Sequence, residues 1–461
     1  MTAIRLKLCA AAFALCNGMA SAAEPYASTY EPIPAPPTLI EDAIILTGTG
    51  VRLEGASILF DGGRIVAVGA GVTEALAERE QVEVIDAAGR WVTPGLIDVH
   101  SHLGVYPSPS VEAHSDGNEA TDPATPRVWA EHSLWPQDPG FPRALAGGVT
   151  TLQILPGSAN LFGGRTVTVK NVASTSYQGM KFPGAPQGLK MACGENPKRV
   201  YGKGRMQPPS TRMGNVAGYR EQWAKAQKYI RDWAEYEAAA EKDDEDAKRP
   251  ERDLGLDTLA AVLKGEILVH MHCYRADEML LILDLAQEFG YSVSAFHHGV
   301  ETYKIAAELA EAGVCAAIWS DWWGFKVEAY DGIQENIALT DRPDGSCAIV
   351  HSDSSQLIQR LNVEAAKAMT RGRRLGLDIP AERAIRWITA NPARSLGILD
   401  ETGTLEPGKM ADVVIWDRDP FSVYALADRV YIDGAAVYDR HDPALQPVTD
   451  FELGQQLEVS P

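Results

Sequence analysis

Seven of the ten histidines in this chain stand at or beside the ends of short apolar runs. His100 and His102 close GLIDVHSH, His270 and His272 close ILVHMH, His297 and His298 close YSVSAFHH, and His351 precedes Asp353 in CAIVHSD. Short runs rich in Val, Ile and Leu read as buried strands. Side chains at i and i+2 of a strand share a face, so His100 points with His102, His270 with His272, and His351 with Asp353. A fold that uses these residues together must gather several strand ends in one place.

The candidate strands GLIDVH, TTLQIL, TVTVK, GLKMAC, ILVHMH, YSVSAFH, VCAAIW and CAIVHS fall between residues 95 and 401, with longer helical patterns between them. The expected fold class is α/β, a (β/α)8 TIM-like barrel whose catalytic groups collect at the C-terminal strand ends. A doubly wound open sheet is the rival, and the placement of the histidines argues against it. Upstream, TLIEDAIILTGTGVRLEGASILFDGGRIVAVGAG alternates short runs with Gly and Asp-Gly turns, as a β-meander does, and KMADVVIWDRD and RVYIDGAAVYD repeat the pattern near the other end. The reading is a small β-sandwich domain formed from both chain ends, residues 23–94 and 402–461, with the barrel, 95–401, inserted between them.

Residues 1–22 read as a signal peptide: Arg5 and Lys7, then the apolar LCAAAFALCNGMA, then the small residues ASA. This predicts a periplasmic or secreted protein. No later stretch reaches the ~18 apolar residues of a membrane span. A net charge of −20 argues against a nucleic-acid partner, which needs clustered Lys and Arg. Cys193, Cys273, Cys315 and Cys347 sit in apolar runs and are expected to be buried free thiols.

Imidazoles joined by a carboxylate are the ligand set of zinc or a similar divalent ion. Strand parity adds Lys190, which lies on the face opposite Leu189, Met191 and Cys193 in GLKMAC. An isolated ammonium inside a barrel is costly. It becomes tolerable when the amine carries CO2 as a carbamate able to bridge two metal ions. An ordinary lysine at a strand edge is the alternative, and Glu195, just past the strand, is a competing ligand. Arg165, in GGRTVTVKN, and Arg205 and Arg212, in RMQPPSTRMG, could each grip a substrate carboxylate. Trp319, Trp322 and Trp323 could wall an apolar subsite or simply pack.

PGLIDVHSH resembles the first-strand signature of the metal-dependent amidohydrolase superfamily, and TANPARSLGILDETGTLEPGKMADVVIWDRDP resembles its closing segment. The nearer likeness is to imidazolonepropionase-like and prolidase-like members, through His272-Cys273-Tyr274 and His298-Gly299. The resemblance implies that His100 and His102 bind the more buried metal and that His272 and His298 bind a second. It further implies Lys190 as the bridging carbamate and Asp353 as both ligand and general base. The cofactor is then one or two Zn2+ ions, with Glu195 or a mononuclear site as the variant arrangement. His270 or His351 would orient ligands or stabilise an oxyanion. The expected function is an exported hydrolase of C–N bonds acting on a small amide, small peptide or N-acyl amino acid, with homo-oligomerisation left open. A lactone or phosphoester hydrolase on the same site, or a catalytically silent ligand-binding barrel, are the alternatives.

Overall fold

The computed structural model describes residues 26–446, so the signal-peptide expectation at 1–22 and the end of the tail lie outside the described residues. Near the beginning of the described chain come β1 (Thr38–Leu46), β2 (Arg52–Asp61), β3 (Arg64–Val68), β4 (Glu83–Asp86) and β5 (Trp91–Pro94). The central strands are β6 (Leu96–Ser101), β7 (Val149–Ile154), β8 (Phe162–Lys170) and β9 (Gly188–Ala192), then β10 (Leu268–His272), β11 (Val293–His297), β12 (Cys315–Ile318) and β13 (Ala348–Val350). Near the far end come β14 (Val413–Trp416), β15 (Ala427–Ile432) and β16 (Ala435–Asp439).

Strands from both ends form one eight-stranded sheet in the order β16-β15-β14-β5-β1-β2-β3, with β4 also paired to β1. Both halves of the sheet contribute to one shared core. Ile40, Ile45, Ile58 and Phe60 from one half meet Val92, Val413, Ile415 and Tyr431 from the other. The amide of Gly95, the one residue between β5 and β6, bonds to the Asp412 carbonyl, so the chain enters the barrel from the seam of this sheet.

The eight central strands follow each other round the second sheet in sequence order, from β6 to β13. Beyond β13 the Asp353 amide bonds to the His100 carbonyl, which brings the ends of β13 and β6 together. Outward residues such as Leu189, Met191, Val269, Met271 and Phe296 pack under the helices. The long helix Arg212–Ala240, capped by Thr211, supplies Tyr219, Trp223 and Ala226 to that layer. The inward positions carry Lys190, His270, His272 and His297, all buried.

One strand departs from the parallel pattern. β8 pairs antiparallel with both β7 and β9. Between β7 and β8 stand only residues 155–161, and a parallel return needs a crossover of a dozen or more residues, so this connection can only make a hairpin. Lys170, at the end of β8, therefore faces the small domain, where it is wholly buried between Asp412 (3.3 Å) and Asp433 (2.9 Å). Tyr30 donates to the same Asp433 carboxylate at 2.6 Å.

The expectation of free thiols is corrected. Cys193 pairs with Cys273 and Cys315 with Cys347, using all four cysteines outside the first 22 residues. The reason is register: each pair lies at neighbouring strand ends with Cα atoms 5.2 and 4.5 Å apart, within disulfide range.

Candidate active site

The strand ends bring His100, His102, His298, His351 and Asp353 into one cluster. Ligand atoms of His100, His298 and His351, and those of His100, His102 and Asp353, lie within 4.8 Å of one another. Asp353 stands at the centre: its carboxylate is 3.6 Å from His100 Nε2, 3.3 Å from His102 Nε2 and 3.8 Å from His298 Nε2. His102 is held by its Nδ1, which donates to the Leu155 carbonyl at 2.8 Å and leaves Nε2 turned to the carboxylate. Two of these residues adopt the left-handed backbone region, His298 at φ 63° and Asp353 at φ 49°. That conformation costs a non-glycine residue about 1 kcal/mol, and such strain concentrates at functional sites.

His272 and Lys190 stand beside these two sets rather than within them. His272 Nε2 lies 3.4 Å from the Asn196 side chain, and the imidazole is 4.9 Å from that of His298, ring centre to ring centre. Lys190 Nζ donates to the Pro156 carbonyl at 3.2 Å. Burial pushes the Lys190 amine down to about 7, against a smaller upward pull from Asp353. An amine so lowered is partly neutral near neutrality, the form that reacts with CO2. Glu195 is turned toward Lys326, 3.9 Å away, and Lys326 donates to Asn196 Oδ1 at 3.1 Å with its ammonium 4.2 Å over the Tyr274 ring.

Burial holds six of these histidines in the neutral form. His100, His272, His297 and His298 are pushed well below the ordinary imidazole value, and His270 and His351 to about 3, with desolvation the largest cause each time. Neutral imidazole is the form that binds a metal. The donor set fits a divalent cation on one further ground. His100 Nε2, His298 Nδ1, His272 Nδ1 and both nitrogens of His351 are buried with no hydrogen-bond partner. Native interiors rarely tolerate so many unsatisfied polar atoms in one place.

Several expectations move. His351, expected behind the ligands, groups with His100 and His298, while His272 turns its Nε2 to the Asn196 side chain. Arg165 is not aimed at the site. It occupies the register position opposite Leu189, on the outer face of the wall, where it stacks on Trp129 and donates to Thr258 and Gln187. Arg212 is tied to Glu278 and Glu328. Trp319 does wall the cluster: its ring stacks on His298 at 4.3 Å and on Trp322 at 5.1 Å. His297, to which the sequence pattern gives no role, is buried and hydrogen-bonded to both His100 and His270. Strand parity puts His297 inward, and the left-handed turn at His298 swings the next imidazole to the same side.

Comparison with known proteins agrees with this architecture. Residues 91–438 match the model of the amidohydrolase family. The chain is 33% identical over 441 residues to the amidohydrolase tasK of Hapsidospora irregularis, covering 89% of this chain but only 44% of that longer protein. It is 25% identical over 410 residues to an imidazolonepropionase of Mesorhizobium japonicum, covering 81% of this chain and 88% of the relative. Among solved structures, an amidohydrolase from Thermotoga maritima superposes with a TM-score of 0.78 at 37% identity, over 87% of this chain and 100% of that one. With an eight-stranded barrel, a sheet built from both ends and a histidine–aspartate cluster at the strand ends, the chain belongs to the amidohydrolase family.

Proposed function

We propose that this protein is an exported, zinc-dependent hydrolase that cleaves a C–N bond in a small amide, small peptide or N-acyl amino acid. The observation that carries the reading is that the Nε2 atoms of His100, His102 and His298 all face the Asp353 carboxylate within 3.8 Å, the buried Nε2 of His100 having no hydrogen-bond partner. His100, His102 and Asp353 would hold one ion, and His298 and His351, with His272 and Lys190 beside them, a second. Lys190 as a carbamate would supply the bridging anion.

A divalent ion held there supplies Lewis acidity, polarising a carbonyl and acidifying water. The chain's own groups do the rest. Asp353, reached from the mouth, takes the proton of the attacking water and returns it to the leaving nitrogen. The Leu155 carbonyl keeps His102 in the tautomer that presents Nε2. Trp319, stacked over His298, covers one side of the cluster and limits entry of bulk water. Two disulfides support the export reading, because such bonds persist in oxidising compartments.

The test joins metal content to turnover. Protein purified without chelator is expected to carry one to two zinc ions per chain by elemental analysis. Asp353→Asn should lower kcat by about 10²–10⁴-fold on the best substrate of an amide panel while retaining its fold. Full activity in that variant would remove Asp353 as the base, and a protein that takes up no metal would bring the ligand-binding barrel forward.

A further inference from the structure

Beneath the cluster the imidazoles continue downward. His100 Nδ1 lies 2.8 Å from His297 Nδ1, and His297 Nε2 lies 3.0 Å from His270 Nδ1. All three side chains are fully buried. A row of imidazoles so enclosed is neutral, since charging one would leave an ion without water or a carboxylate at hydrogen-bond distance. A neutral imidazole carries one N–H, so each ring donates on one side and accepts on the other. Only two proton arrangements satisfy both contacts.

In the first, His100 donates from Nδ1 to His297, His297 donates from Nε2 to His270, and the His270 Nε2–H points away from the cluster. In the second, every proton is reversed, and His100 Nε2–H faces Asp353 at 3.6 Å, beyond a good hydrogen bond. That arrangement also spends the nitrogen a metal needs.

The far end of the row distinguishes them as well. His270 Nε2 has no partner, and Gln153 Oε1, an acceptor, is equally buried and unpartnered. The two side chains approach the same spot. A Cβ built at Gly188 would stand 2.7 Å from His270 Cδ2 and 3.1 Å from Gln153 Nε2. The Gln153 amide nitrogen commits one N–H to Thr166 Oγ1 at 2.8 Å, and its oxygen, the atom of that side chain left without a partner, is within reach of His270 Nε2 through a water. Gly188, by lacking a side chain, keeps that space open.

We propose that His297 and His270 are positioning residues: with Gln153 as terminal acceptor, they form a one-way hydrogen-bond relay that fixes His100 as its Nδ1–H tautomer and presents Nε2 to the ion. The inference rests on His100 being a metal ligand. It assigns function to three buried residues that do not touch substrate.

The test is read on metal and protons, independently of any substrate. Ring ¹⁵N NMR of the zinc-loaded wild-type enzyme should show His100 protonated at Nδ1 and both His297 and His270 protonated at Nε2. In competition titrations with a chromophoric chelator, His297→Leu should bind zinc about 10–100-fold more weakly. His297→Gln, which offers an acceptor and a donor in one side chain, should recover most of that loss. A His297 protonated at Nδ1, or a leucine variant that binds zinc like wild type, overturns the relay while leaving the hydrolase reading standing. Recovery failing in a folded glutamine variant overturns it too. A wild-type protein that binds no zinc removes the metal reading itself, and the relay's purpose with it.

Discussion

Cys193 and Cys273 are joined by a disulfide at the mouth end of two neighbouring strands, Cys273 directly following His272 and Cys193 three residues after Lys190. The bond therefore ties together two of the residues beside the histidine–aspartate cluster. It closes a loop with a sequence separation of 80. Replacing both cysteines with serine should cost about 2–5 kcal/mol of stability, read from denaturant unfolding of oxidised wild type and variant. Equal midpoints would show that the link contributes nothing to the folded barrel.

Lys170 is a second point of attachment, between barrel and sheet domain. Its ammonium is wholly enclosed by Asp412 and Asp433. Lys170→Met strands two carboxylates in the interior and should destabilise by about 3–5 kcal/mol. The double change with Asp433→Asn should recover part of that loss, and an additive double variant would deny the coupling.

The buried histidines set an acid limit on the metal-free protein. Burial pushes His270 and His351 to about 3, whereas an unfolded chain protonates them near the ordinary value of 6.5. Below pH 6.5 the unfolded state binds more protons than the folded state, so stability falls as pH drops toward 3. The apparent Tm of the metal-free enzyme should decrease from pH 7 to pH 5. His270→Gln should make the decrease shallower, and an unchanged pH profile in that variant would exclude its contribution.

Lys190 tests the number of metals. With the amine as a CO2 adduct bridging two ions, Lys190→Ala should lower zinc content toward one ion per chain. Metal-free wild type reloaded in CO2-depleted buffer should also regain activity more slowly than with added bicarbonate. Identical reloading in both buffers, with two ions bound, would place the lysine outside the bridge.

The sequence carries much of this. All eight barrel strands are legible as apolar runs, because buried strands must be apolar, and the paired histidines follow from strand parity. Direction is not written into such runs, so β8 reads like its neighbours, although the short PGSANL connection already excludes a parallel return. Arg165 looks available only until Leu189 is known to oppose it, which depends on register between strands. Register also decides the cysteines, whose pairing requires knowing which strand ends adjoin. That His351 groups with His100 and His298 depends on side-chain geometry that spacing alone does not specify.

The reversed β8 has a bearing on how this barrel can change. Its mouth-side end is a tight hairpin, and its other end is anchored in charge between two domains, so that sector of the wall has little room for insertions. The segment after β6, residues 102–139, carries no strand. New substrate preferences in this lineage should accumulate in that segment and in the aromatic stretch after β12, while the hairpin stays constant in length.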